Sequence, residues 1–358
     1  MTPLKNRCTA LLLGLGWCLA LSHATAQTPV GFKQVRLEDA QGTGRPLDVA
    51  LWYPALPEAC PPEQVKQVGG NRIFEGVDVC ADAPAPAGTR TAVLLSHGLF
   101  GHWGSQAWLA HALARRGHVV AAPNHPGTTL RDRRPEQMRA LWMRPNDLTR
   151  VLDALIVHPE WAGPVVPGQA AVIGHSLGGW TALSMAGGIF STARFTTDCA
   201  QQPAGYASCA VWRLSGVEQH PDHARLLDGS HGDPRIAAAV LLDTGLARGF
   251  TATSLAALKT PVLIVAAGQP DPVQPQEKES RVAFERLPPS TTEYRLHAGA
   301  SHFSYLGSCR PDATALLAQG APEERLVCLD GPGQDRTSLH RQTVEDVGGF
   351  LTRHLSVR

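Results

Sequence analysis

Apolar residues fall along the chain in short runs separated by stretches of helical spacing, and this alternation predicts strands and helices in turn. Phe32 to Leu37 and Leu47 to Tyr53 read as strands joined by the turn-prone Gln41-Gly42-Thr43-Gly44, a hairpin expected at a sheet edge. Residues 54–88 are rich in Pro, Ala and Gly and read as an irregular surface excursion. Thr91 to Leu95 is a short apolar run of the kind a strand buried on both faces needs. A helix is expected over Gln106 to Arg116, with Ser105 as N-cap and Gly117 as its stop, and His118 to Ala122 returns as a strand. From Asn146 the residues Leu148, Val151, Leu152, Leu155 and Ile156 mark one buried helical face. Strand Ala170 to Gly174 then leads through His175-Ser176 into a helix from Leu177. Ile236 to Leu242, Pro261 to Ala267 and Thr292 to Leu296 are further strands, with helices at Pro275 to Leu287 and Thr343 to Leu355.

Strands that alternate with helices predict an α/β protein with a mostly parallel central sheet covered on both faces. Residues 27–358 read as one catalytic domain without internal repeats. Residues 188–233 are long for a connection inside a compact domain and are expected to form a cap or lid insertion over the active site.

Composition changes this picture at the N-terminus. Lys5 and Arg7 precede the apolar stretch Leu11 to Leu21, and Ala24-Thr25-Ala26 follows as a cleavage signature, so residues 1–26 read as a cleaved signal peptide. The run is too short and too interrupted by glycine to span a bilayer, so no integral membrane span is expected. A periplasmic or secreted protein follows. The chain of 358 residues carries a formal charge of +1 and no basic run interleaved with aromatics, which argues against a nucleic-acid partner. Outside the leader the cysteines are Cys60, Cys80, Cys199, Cys209, Cys309 and Cys328. In an oxidising compartment they read as disulfides. Each neighbouring pair encloses a loop-like stretch, which predicts Cys60–Cys80, Cys199–Cys209 and Cys309–Cys328. No C-x-x-C spacing supports a thiolate metal site.

Gly174-His175-Ser176-Leu177-Gly178-Gly179 matches G-x-S-x-G between an apolar strand and a helix, the setting that gives the motif meaning. Ser176 is therefore the candidate nucleophile, and a serine hydroxyl needs a base. His302, in a small-residue loop after the last strand, is the candidate; His297 lies at the strand end, and His340 and His354 read as surface residues. Two carboxylates sit at strand ends where they could orient an imidazole. Asp271 is favoured and Asp243 is the alternative. The oxyanion donors expected are the Leu177 amide, next to the nucleophile, and the Leu99 amide in Ser96-His97-Gly98-Leu99. His97 reads as a buried support for that loop. His220, Asp222, His223 and His231 have only weak metal-site spacing, and no metal or organic cofactor is expected.

These residues together resemble the α/β-hydrolase superfamily from about residue 30 to the C-terminus. Within it the chain resembles bacterial predicted dienelactone hydrolases and, more distantly, platelet-activating-factor acetylhydrolases. Val30-Gly31-Phe32, Leu51-Trp52-Tyr53-Pro54, Leu95-Ser96-His97-Gly98-Leu99, Pro123-Asn124-His125-Pro126-Gly127-Thr128-Thr129, the Ser176 motif and His302-Phe303 carry the likeness. True dienelactone hydrolases use a cysteine where this chain has Ser176. The acetylhydrolase pattern places the acid after the earlier strand, which implies Asp243. The expected activity is hydrolysis of carboxylic esters with short acyl chains through an acyl-serine, acting on a small-molecule or lipid-like ester. A peptidase or amidase with the same triad, and an inactive hydrolase fold that only binds, are the competing readings. Oligomeric state has no signal in the sequence.

Overall fold

The computed structural model describes residues 28–39, 42, 44–203 and 205–356. The leader expected over residues 1–26 lies outside the described residues, as do Gln41 and Thr43 of the first turn. The strands are β1 Val30–Leu37, β2 Leu47–Pro54, β3 Val65–Val68, β4 Val77–Ala81, β5 Ala92–Ser96, β6 Phe100–Gly101, β7 Val119–Pro123, β8 Ala170–His175, β9 Ile236–Leu242, β10 Val262–Ala267 and β11 Thr292–His297. All but β6 join one sheet in the order β11-β10-β9-β8-β5-β7-β2-β1-β4-β3. From β11 to β7 every neighbour pairs in parallel, and β2 joins β7 antiparallel. The helices are α1 Ala107–Arg115, α2 Pro135–Arg139, α3 Met143–Val157, α4 Leu177–Met185, α5 Thr192–Ala200, α6 Ala207–Ser215, α7 Pro221–Leu227, α8 Ala252–Ala256, α9 Ser280–Arg286, α10 Ala313–Gly320 and α11 Arg336–His354.

The period of two along each strand sorts the core into two layers. Val49, Leu51, Leu94, Ala121, Val172, Leu241 and Ile264 face α3, α4 and α9. Their sequence neighbours Ala50, Trp52, Val93, Leu95, Val120, Ile173, Val240 and Val265 face α1 and α11. After β5 the chain moves outward to β7, then crosses back to β8 on the other side. The loops leaving β5 and β8 therefore diverge, which opens a crevice at the carboxyl ends of the strands.

Four local expectations are corrected. The β1–β2 hairpin is not at the sheet edge, because β4 pairs in parallel with β1 through Gly31–Cys80 and Phe32–Ala81, and β3 lies outside it. The 54–88 stretch thus adds two strands; β4 is only five residues long and β3 is almost wholly exposed, so neither shows a clear apolar period. Ser105 does not cap α1: its hydroxyl accepts from the His102 amide within the preceding 3-10 turn Trp103–Gln106. His340 is buried, stacked on Trp108 at 3.7 Å, with Nε2 against the Ser304 and Leu306 carbonyls.

Residues 188–233 carry α5, α6 and α7. Disulfides join Cys60–Cys80, Cys199–Cys209 and Cys309–Cys328. Cys199–Cys209 staples α5 to α6. Replacing both by serine is expected to cost about 2–3 kcal/mol through lost chain constraint, read as a lower urea midpoint; an unchanged midpoint would show that the staple adds no stability.

Candidate active site

Ser176 stands between β8 and α4 with φ 56° and ψ −118°, a backbone region that side-chain-bearing residues rarely occupy. Its amide donates to the Leu242 carbonyl at 3.0 Å, and its carbonyl accepts from the Gly179 and Gly245 amides at 2.9 and 3.1 Å. The flanking glycines are steric necessities. A Cβ on Gly174 would lie 1.9 Å from the Gly178 carbonyl oxygen, and one on Gly178 would lie 1.9 Å from the Ser96 carbonyl oxygen.

His302 opens the 3-10 turn His302–Tyr305 after β11. Its Nε2 lies 3.1 Å from Ser176 Oγ and its Nδ1 lies 2.5 Å from Asp243 Oδ2. Asp243 directly follows β9 and is 2% exposed. The second carboxylate oxygen, Oδ1, accepts from the Ala267 amide at 3.0 Å, so the group is held on both sides. The carboxylate beside His302 is therefore Asp243, the alternative acid, and Asp271, the favoured one, is not brought to the ring. Asp271 Oδ1 accepts from the Val273 and Gln274 amides at 2.9 and 3.1 Å and closes its own turn. The distinction is geometric: Asp243 sits on a strand-end residue with φ 41°, aimed across the sheet, whereas Asp271 lies several residues beyond β10. His297 is the partner of Asp346 on α11, at 2.8 Å.

His175, just before the candidate nucleophile, was not singled out from the sequence. Its Nε2–H donates to the His302 carbonyl at 2.9 Å, tying the serine turn to the histidine loop. Burial and the neighbouring His302 lower its pKa to about 3, so the ring stays neutral. Leu177 begins α4, so its amide is one of the unpaired donors at a helix start. The loop carrying Leu99 runs against Ser176, since a Cβ on Gly98 would lie 3.2 Å from Ser176 Cβ. His97 is buried there. Its Nε2 accepts from the His125 amide at 3.1 Å, which leaves the proton on Nδ1 to be donated to the Gly98 carbonyl at 2.7 Å.

His220 and His223 stack at 5.3 Å, His223 also packs on Trp142, and Asp222 pairs with Arg225. His231 Nε2 meets the Leu226 carbonyl at 3.1 Å. Among the described residues, the metal-type ligands that converge are Asp198, Cys199 and Cys209, and both of those cysteines are in a disulfide.

Residues 87–193 match the family model described as serine aminopeptidase, S33. The structure is similar to a ferulic acid esterase from Streptomyces cinnamoneus, with a TM-score of 0.60 and 21% identity over 92% of this chain and 91% of that one. No curated protein sequence matches. The chain has the α/β-hydrolase fold.

Two outcomes are expected. Gly178→Ala drives a methyl into the Ser96 carbonyl and should cost about 1–3 kcal/mol, visible as a lower Tm; an unchanged Tm would contradict the close approach. The second concerns acid. Burial holds His97 and His125 well below 6.5, His118 and His340 at about 4, and His175 at about 3. The unfolded chain takes up these protons from near pH 6.5 downward while the folded chain does not, so stability falls as pH drops from 6.5 toward 4. Urea midpoints at stepped pH should fall across that window, and a flat profile would refute neutral burial of these rings.

Proposed function

We propose that this chain is an exported serine esterase that cleaves carboxylic esters with short acyl chains through an acyl-serine intermediate. The observation that carries the reading is the continuous contact from Ser176 Oγ through both nitrogens of His302 to Asp243. His302 Nε2 takes the Ser176 proton as Oγ attacks the ester carbonyl. The imidazolium so formed is stabilised by the Asp243 carboxylate, which the Ala267 amide keeps in place. The Leu99 and Leu177 amides receive the oxyanion. Collapse expels the alcohol, which takes the proton from His302, and water repeats the cycle to release the acid.

The Ser176–His302–Asp243 order, with the acid after β9, is the arrangement implied by the likeness to platelet-activating-factor acetylhydrolases. The resemblance to predicted dienelactone hydrolases supports the same reaction class with serine in place of cysteine. The structural likeness to a ferulic acid esterase favours esters over amides. The Gly245 turn, whose amide donates to the Ser176 carbonyl, is packed closely by side chains: a Cβ on Gly245 would lie 3.2 Å from Ser208 Oγ and 3.3 Å from Gln274 Nε2. Ser208 belongs to α6, so residues 188–233 reach the turn beside Ser176, which supports reading this segment as a cap. The three disulfides support residence in an oxidising compartment.

The family model named for serine aminopeptidases favours a second reading, cleavage of amides by the same residues. Initial rates on p-nitrophenyl acetate and butyrate against matched anilides separate the two, and faster anilide cleavage would sink the esterase reading. Ser176→Ala should abolish turnover and labelling by a fluorophosphonate probe; labelling that persists would exclude Ser176 as nucleophile. Asp243→Asn should lower kcat by about 10⁴-fold, while Asp271→Asn should stay near the unmodified enzyme. The reverse ranking would restore Asp271.

A further inference from the structure

Behind the candidate oxyanion loop lies a second Ser–His–Asp arrangement. Ser96 Oγ is 3.0 Å from His125 Nε2, and His125 Nδ1 is 2.9 Å from Asp147 Oδ2. Ser96, His125 and Asp147 are 1%, 0% and 0% exposed, so no ester reaches this serine. The bonding directions are fixed by chemistry. The Asp147 carboxylate can only accept, so His125 donates from Nδ1, and Nε2 of the neutral ring accepts the Ser96 hydroxyl proton. The remaining Ser96 lone pair faces Arg144 Nη2 at 3.1 Å.

Arg144 is itself 1% exposed and, among the described residues, touches no carboxylate. Asp147 is taken by Arg45, through a paired contact at 3.2 and 2.6 Å, and by His125. Burial lowers the Arg144 guanidinium to about 9, so it remains charged at neutral pH. A buried cation held only by neutral groups is costly, and its geometry shows what it does. Nε donates to Thr181 Oγ1 at 3.0 Å, Nη1 to Thr128 Oγ1 at 2.5 Å, and Nη2 to Ser96 Oγ and the His97 carbonyl. Thr181 lies on α4, in the helix that begins just after Ser176; Ser96 and His97 lead into the loop of Leu99.

We propose that Arg144 is a positioning residue for the oxyanion site, locking the Ser96–His97 backbone to the nucleophile helix so that the Leu99 amide keeps its place relative to Ser176. This rests on the esterase reading. Arg144 holds the carbonyl of the peptide linking residues 97 and 98. The His97 ring holds the carbonyl of the next one, and that carbonyl shares a rigid plane with the Leu99 N–H. Two successive peptides are thereby pinned. Only a planar fork reaches acceptors on three separate elements at once; a lysine ammonium presents its donors from a single point.

The test uses the full mature protein carrying Arg144→Lys, which keeps the charge and loses the fork. We expect kcat on p-nitrophenyl acetate to fall about 10- to 100-fold, below the loss from deleting an oxyanion donor outright, with KM nearly unchanged. The inhibition constant of phenylboronic acid, whose tetrahedral adduct places an oxygen where the oxyanion forms, should rise in step. The pH midpoint of kcat/KM should not move, because the Ser176–His302–Asp243 contacts are untouched. Unmodified kcat and boronate affinity in folded Arg144→Lys would overturn the proposal. Should that variant not fold, Ser96→Ala and Thr181→Val each remove one Arg144 contact and are expected to weaken turnover and boronate binding in parallel. A fall in Tm with boronate affinity intact would assign the network to stability alone and overturn positioning. Absence of ester turnover and boronate binding by the unsubstituted protein would overturn the esterase reading and this one with it; ester turnover left unchanged by the Arg144 variants would overturn this one alone.

Discussion

Where α4 starts over the end of β5, Gly178 meets the Ser96 carbonyl with no room for a methyl group. This contact fixes how close the serine turn and the loop after β5 can come, and the rest of the site inherits its distances. The turn holds Ser176 at a positive φ, which costs on the order of 1–3 kcal/mol and persists only where neighbours over-determine it. They do so through backbone bonds joined by two side chains, Asp243 and His175. The Ser176 amide is bonded to Leu242 at the end of β9, and the next residue is Asp243. The Asp243 amide is bonded to Val265 of β10, and its carboxylate to Ala267 of the same strand. His175 then carries the chain of contacts across to the His302 backbone. Ser176 and Asp243 are located by the backbone of neighbouring strands and His302 by the His175 ring, so packing of β8, β9 and β10 transmits directly to the proposed triad.

Buried charge is concentrated on two sides of this junction. On one side Arg45, Asp147 and Arg144 lie under the loop after β5, with the neutral His125 between Asp147 and Ser96. On the other, Arg248 pairs with Glu279 at 3.1 Å and with Asp198 at 2.6 Å, while Tyr206 donates to Glu279 at 2.9 Å. Burial raises the Glu279 pKa against the opposing pull of the Arg248 charge. Replacing such pairs with apolar residues of equal volume is often neutral or stabilising, so net stability is a weak reason for them. Directional bonds between segments far apart in sequence are a better one. The Arg45–Asp147 pair spans 102 residues and Tyr206–Glu279 spans 73.

The parallel part of the sheet was legible because a strand buried on both faces must be an uninterrupted apolar run. Ile236–Leu242 falls where its sequence places it, and the runs for β5, β8 and β10 shift by a residue at most at either end. Strand β11 lies at the edge, is half-exposed and is interrupted by Glu293 and Arg295, and its bounds match to one residue without that constraint. Strands β3 and β4 were not legible, since exposed or short strands lack that constraint. Ser176 and His302 could be singled out by local context, a strand before a tight turn and a small-residue loop after a strand. The acid could not. Asp243 and Asp271 both follow strands, and what separates them is the 59-residue reach from Asp243 to His302 across the sheet. Arg144 was invisible for a related reason. Its neighbours in sequence read as an ordinary helix start, and its role comes from four acceptors on other segments.

The helices over residues 188–233 bear on how a substrate would enter. A swinging lid needs few buried contacts with the body and a hinge that can absorb backbone change. This segment has the opposite character. The Ala207 amide donates to the Val273 carbonyl at 2.7 Å, and the Leu246 amide donates to Ser208 Oγ at 3.0 Å. Asp198 and Tyr206 are held by Arg248, and Cys199–Cys209 closes the base of the same pair of helices. Phe190, Phe195 and Trp212 fill the space beneath, all fully or nearly fully buried. Moving α5 and α6 outward would expose those rings and break the Arg248–Asp198 ion pair and the Arg248–Tyr206 hydrogen bond together. If this segment walls the acyl pocket, the wall is static. On the proposed esterase reading, acyl length would then be set by fixed side chains and not by how far a lid can open.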